Sequence, residues 1–129
     1  MKVFANEVPL NFINPEEIQM QKEALAKVRE KLGKEYPNII GGKEIITDKK
    51  TVSYNPANQT EVVGIFQKGG KEQAEDAVQT ALKAFETWKY TPAEERASYL
   101  FKAAEIMRQR RMEINAWMIT EAGKNFAEA

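Results

Sequence analysis

The first clear pattern along the chain is helical. Ile18, Leu25, Val28 and Leu32 fall near one face of a 3.6-residue period, with Lys22, Lys27, Arg29 and Glu30 largely elsewhere. Asn14 stands at an N-cap position, and Pro15 suits the first helical position because its missing N–H would have been unpaired anyway. Glu17 has the spacing to reach back in a capping box. Gly33 offers a left-handed stop. The spacing predicts a leader helix over 14–33, preceded by a mixed extended arm over 1–13 that needs a surface to lie against.

From Tyr36 the pieces become short and β-like. Ile39 and Ile40, a Gly41-Gly42 turn and Glu44 to Ile46 form a hairpin signature. Thr51 to Tyr54 reads as a strand, Asn55-Pro56-Ala57-Asn58 as a loop because Pro56 fixes its own φ and biases Asn55 away from helix, and Glu61 to Phe66 as the most apolar strand. Together they predict an antiparallel patch of four strands over 38–66. A central helix follows over Lys71 to Lys89, with Ala74, Ala77, Val78, Ala81, Leu82, Phe85 and Trp88 in one broad stripe. That stripe is the expected packing centre of the chain.

Thr91-Pro92-Ala93-Glu94 reads as a second capping box, and Ala97, Leu100, Phe101, Ala104 and Met107 as the buried face of the helix it launches. Ile114, Trp117 and Met118 keep the period up to Gly123, a further C-cap. Lys124 to Ala129 continues in helix-forming residues with no stop signal, so the sequence reads as cut rather than finished. The helical region spans 71–129, and the expected class is α+β: a leader helix, a small antiparallel strand patch, then three helical stretches.

Composition narrows the chemistry. Nineteen basic and nineteen acidic side chains cancel, which gives no general attraction to nucleic acid or anionic lipid. With neither cysteine nor histidine, no disulfide framework and none of the usual zinc, copper or iron ligand sets can be assembled. No apolar run has signal-peptide or membrane-spanning length, so the expectation is a soluble, cytoplasmic protein.

The remaining candidate groups have plain structural readings. Gly41-Gly42 and Gly69-Gly70 lack phosphate-loop spacing and read as turns. Arg108, Arg110 and Arg111 sit at a helix C-terminus, and the pairs Glu16-Glu17, Glu94-Glu95 and Glu72/Asp76 at helix N-termini, each where the helix dipole favours its charge. Phe85, Trp88, Trp117, Met107 and Met118 read as core. Lys124, after the Gly123 stop, could face an anion, with surface solvation the simpler role. No set of residues here completes a reaction by itself.

The strings NPANQTEVVG, AEDAVQTALKAFETW, PAEERASYLFKAAEIMRQRR and WMITEAGK resemble the N-terminal region of the aldehyde dehydrogenase superfamily. The matching elements are Asn55-Pro56-Ala57, Ala77-Val78, Ala84-Phe85, Trp88, Arg96 with Leu100, and Glu121-Ala122-Gly123-Lys124. Glu23 to Ile45, with Leu32-Gly33-Lys34-Glu35-Tyr36-Pro37, is similar to the leader of the 1-pyrroline-5-carboxylate dehydrogenases within it.

The resemblance implies an incomplete N-terminal, dinucleotide-binding domain. The parent would be an NAD-dependent enzyme that oxidises L-glutamate γ-semialdehyde to L-glutamate in proline catabolism through a cysteine thiolate and a general-base glutamate. Those residues would belong to sequence beyond Ala129, so this chain would be inactive scaffold, would bind no NAD itself, and would have the remainder of the parent polypeptide as its partner in a homo-oligomer. Glu121 falls where some members place an acidic residue near a structural monovalent cation; a helix-end carboxylate is the ordinary alternative. As scaffold, the isolated chain should expose apolar surface and unpaired strand edges. A stand-alone protein-interaction module on the same scaffold is the other functional reading.

Overall fold

The computed structural model describes residues 5–129. Helix α1 covers Pro15–Arg29. The Asn14 side chain caps it by accepting from the Glu16 N–H at 2.9 Å, while Glu17 reaches past the cap to accept from Phe12 N at 3.3 Å. Gly33 is left-handed at φ 73°, yet its N–H donates to the Val63 carbonyl rather than back into the helix. Gly33 is thus the joint that swings the chain from α1 onto the sheet.

Five strands follow: β1 (Lys34–Tyr36), β2 (Asn38–Ile40), β3 (Lys43–Ile45), β4 (Lys50–Asn55) and β5 (Asn58–Gln67). The α+β class holds, with the strands divided between two sheets. β2 and β3 form a hairpin on Gly41 and Gly42, both at positive φ, and β1-β5-β4 form a three-stranded sheet. β4 and β5 pair antiparallel, whereas β1 runs parallel to β5 with Glu35 opposite Ile65. The parallel pairing follows from the Gly33 joint, which lays Lys34–Tyr36 along β5 ahead of the hairpin. Gly64 makes room for that edge: a Cβ there would stand 3.0 Å from Phe66 and 3.3 Å from Tyr36, whose rings stack at 5.5 Å.

Three helices complete the chain: α2 (Lys71–Trp88), α3 (Ala93–Gln109) and α4 (Arg111–Ala122). α2 opens on Gly70, whose N–H donates to Gln73 Oε1 at 2.8 Å. The predicted Thr91 box does not form. Pro92 is the N-cap of α3, one residue late for Thr91 to act, and the Thr91 carbonyl instead accepts from Arg96 Nη1. Residues 123–129 leave the helix at Gly123, φ 67°.

The core lies between α1, α4 and β5. Ala24, Val28, Ala116 and Val63 are its buried apolar residues, with Leu25, Leu32, Met112 and Trp117 half-buried around the first three. The expectation that the central helix is the packing centre is therefore corrected: α2 and α3 contribute no buried residue. Val78, Leu82, Phe85 and Trp88 on α2, and Leu100, Phe101 and Met107 on α3, are exposed. The periodicity identified the apolar faces correctly, but the described residues supply nothing to cover them.

Candidate functional site

Two of the family-like segments meet at the junction between the β4–β5 turn and the end of α4. Asn55 Oδ1 accepts from Ala57 N at 2.9 Å, closing a side-chain-supported turn, and its amide nitrogen donates to Glu61 Oε2 at 2.6 Å. Pro56 on that turn packs against Gly123, where an added Cβ would lie 2.9 Å from Pro56 Cγ. Ser53 Oγ, on β4, donates to Glu121 Oε1 at 3.3 Å. The Asn55-Pro56-Ala57 turn and the Glu121–Lys124 segment, well separated in sequence, therefore form one joint that fixes α4 on the sheet.

Glu121 is exposed on the last turn of α4. It borders a groove of about 390 Å³ whose wall also carries Lys31, Tyr36, Phe66, Arg110, Glu113 and Trp117. The strongest charge cluster lies there. Glu113 accepts from Lys31 Nζ at 2.8 Å and from Arg110 Nε at 2.9 Å. These two cations, Arg110 foremost, hold its carboxyl from the usual 4.5 down to about 2. Glu113 is a clasp between α1 and α4 rather than an acid–base group, because no proton moves on it near neutral pH. Among the described residues, no group of three or more Asp, Glu, His or Cys side chains could hold a metal ion.

The other candidates take structural roles. Arg108 pairs with Glu7 at 2.7 Å and Arg111 donates to the Val8 carbonyl at 3.0 Å, so the basic cluster straps residues 7 and 8 of the N-terminal arm against the end of α3. Residues 1–4 of that expected arm lie outside the described residues. Lys124 Nζ reaches the Glu128 carbonyl at 3.5 Å. Gly41 and Gly42 shape the hairpin beside Thr80, and the Gly70 amide is engaged by Gln73, so neither glycine pair fits as a pyrophosphate cradle for a dinucleotide.

Three polar anchors escaped the sequence reading. Gln21 is fully buried on α1, and its Nε2 donates to the Met112 carbonyl on α4 at 3.1 Å. Gln67 joins three segments: its amide nitrogen donates to Glu35 and to the Tyr36 carbonyl, while its oxygen accepts from Thr47 N at 2.9 Å. Thr120 donates to the Ala116 carbonyl within α4. The signal available for Gln21 was its place on the Val28 face, one turn before Leu25. No helix of the described residues is long and apolar enough to cross a membrane.

A family model described as the aldehyde dehydrogenase family matches residues 45–129. Over 119 residues the chain is 49% identical to 1-pyrroline-5-carboxylate dehydrogenase 2 of Bacillus subtilis (strain 168), covering 92% of this chain and 23% of that protein. It is 52% identical over 106 residues to the 1-pyrroline-5-carboxylate dehydrogenase of Geobacillus kaustophilus (strain HTA426), covering 82% of this chain and 21% of that one. A crystal structure of 1-pyrroline-5-carboxylate dehydrogenase from Thermus with bound NAD is 44% identical and matches with a TM-score of 0.95, over 99% of this chain and 25% of that one. The match falls on the N-terminal quarter of such structures, so the chain spans about a quarter of the length of these relatives.

Proposed function

Because the chain belongs to the aldehyde dehydrogenase family, we propose that it is the N-terminal scaffold part of an NAD-dependent dehydrogenase oxidising L-glutamate γ-semialdehyde (1-pyrroline-5-carboxylate) to L-glutamate in proline catabolism, inactive on its own. The observation that carries this reading is the identity of about half of all positions to 1-pyrroline-5-carboxylate dehydrogenases over most of the chain, together with the shared backbone. NAD, when bound to the whole enzyme, accepts hydride. The contribution of these residues is mechanical: the Pro56–Gly123 joint and the Glu113 clasp hold the sheet, α1 and α4 as one body on which the remainder can be positioned.

The test is a chimera in which this chain replaces the matched segment of the Bacillus subtilis enzyme. It should form NADH from L-glutamate γ-semialdehyde and NAD+, while the 129-residue chain alone should form none. A folded but inactive chimera, or NADH formation by the chain alone, overturns the reading. A monovalent-cation contact at Glu121 belongs to the same proposal, supported by its exposed carboxylate, which Ser53 already orients. Potassium at constant ionic strength should raise the thermal midpoint of the chimera, and Glu121→Gln should abolish that response.

A further inference from the structure

Where the N-terminal arm meets α3 and α4 there is a groove of about 310 Å³ in which the proposed function has no part. Ala104, Met107, Ile114 and Met118 give it an apolar wall, and all but Met107 are half-buried. Asn115, in the same wall, is buried, and its amide nitrogen is committed to the carbonyls of Arg111 at 3.2 Å and Ala129 at 3.0 Å. Residues 7 and 8 strap this groove without filling it: the Val8 side chain, which is apolar and could cover the wall, is 79% exposed. What the strap places there is a carboxylate. Glu7 lines the groove and accepts from Arg108 Nε at 2.7 Å, and Arg108 has a second, looser contact with Glu105 at 3.5 Å. Arg111, also in the lining, donates to the neutral Val8 carbonyl at 3.0 Å and pairs with no carboxylate among the described residues.

We propose that the α3–α4 groove is a binding site for a small aliphatic monocarboxylate, its tail against Ala104, Met107, Ile114 and Met118 and its carboxylate replacing Glu7 at Arg108, with Arg111 as the second donor. Glu7 is then a built-in competitor, and the strap is what the ligand lifts. The exchange costs little, because the Glu7–Arg108 pair is half exposed to water, where ion pairs contribute weakly, and the incoming tail buries apolar surface that Glu7 leaves open. The two guanidinium groups select for the anion: a cation with the same tail is repelled, and a neutral one leaves the Arg111 charge uncompensated. A dicarboxylate is disfavoured because its second charge would lie on the apolar wall. The volume is at the small end of ligand cavities, which suits a short chain. None of this depends on the proposed function.

The test is nuclear magnetic resonance of the 129-residue chain with labelled methionine methyl groups, titrated with octanoate. The Met118 signal should shift saturably, while that of Met20, which is on α1 outside the groove, should stay in place. Octyltrimethylammonium, with the same tail and the opposite charge, should move neither. Glu7→Gln, an exposed change that should leave the unfolding midpoint where it is, should tighten octanoate binding about two- to fivefold by removing the competitor. Arg111→Gln should weaken it about tenfold. No saturable shift at Met118 overturns the proposal, and so does an equal response to the two detergent-like ions, which would identify adsorption to apolar surface. Unchanged affinity in Glu7→Gln also overturns it, since the carboxylate would then not be taking the place of Glu7.

Discussion

The two halves of this molecule carry apolar residues in opposite relation to their burial. The α1–α4–sheet body buries only small ones, Ala24, Val28, Val63 and Ala116, and ties them with polar links through Gln21, Gln67 and Glu113. The α2–α3 arm carries larger ones, Phe85, Trp88, Tyr99, Leu100 and Phe101, and leaves all of them exposed. Helical periodicity is at least as clear in the arm as in the body. A helical stripe states that a face is destined for burial; it carries no information on whether the covering surface lies within the same 129 residues.

The sharpest way to break this contrast is a charge in the body. Val28 is 0% exposed and touches both α4 and the Leu25–Leu32 rim. Val28→Asp should cost about 4 kcal/mol or more, since an unpaired carboxylate replaces a close-packed methyl pair, and that is most of the stability of a small domain. Urea denaturation followed by circular dichroism checks it. A loss near 1 kcal/mol would mean the body is as loosely packed as the arm.

The next effect in size tests the joint. Gly123→Ala forces a β-carbon into a left-handed residue and toward Pro56 Cγ, 2.9 Å away. About 2 kcal/mol is expected, measured as a shift of the urea midpoint at unchanged slope. An unchanged midpoint would show that the turn and α4 are not braced against each other.

A smaller effect concerns the Glu113 clasp. Its carboxyl titrates at about 2 when folded against 4.5 otherwise, so its stabilisation is complete above about pH 4.5 and is lost as pH falls toward 2. With the side chain 26% exposed, solvent screening limits the contribution to no more than about 1 kcal/mol. Glu113→Gln should lower stability by that amount at pH 7 and flatten the acid limb between pH 4.5 and 2. A parallel downward shift at every pH would assign the loss to packing instead.

Much of the architecture was legible in the residues because its signals are local. Asn14-Pro15 starts α1 and Gly41-Gly42 turns the hairpin, each through the conformational limits of one or two residues. The parallel β1–β5 pair was not legible, since it depends on Gly33 donating to Val63, thirty positions away in the chain. Thr91 misled for the opposite reason: its spacing to Glu94 is right for a box, but Pro92 took the cap position. At the candidate site, Glu121 was identified by family resemblance alone; its partner Ser53 comes from another element, and no spacing rule connects the two.

The smallest expected effect is also the most discriminating for the arm. Leu82 is 56% exposed in the middle of the α2 stripe. Leu82→Asp in the 129-residue chain removes little buried area and costs only the difference in helix propensity, so the urea midpoint should move by no more than about 0.5 kcal/mol. The same charge should reduce binding of a hydrophobic dye and any self-association, because it interrupts the apolar strip that Phe85 and Trp88 extend. A loss comparable to that of Val28→Asp would mean that the arm folds back onto the body in solution. The two halves would then differ in the timing of their packing, not in whether this chain supplies the cover.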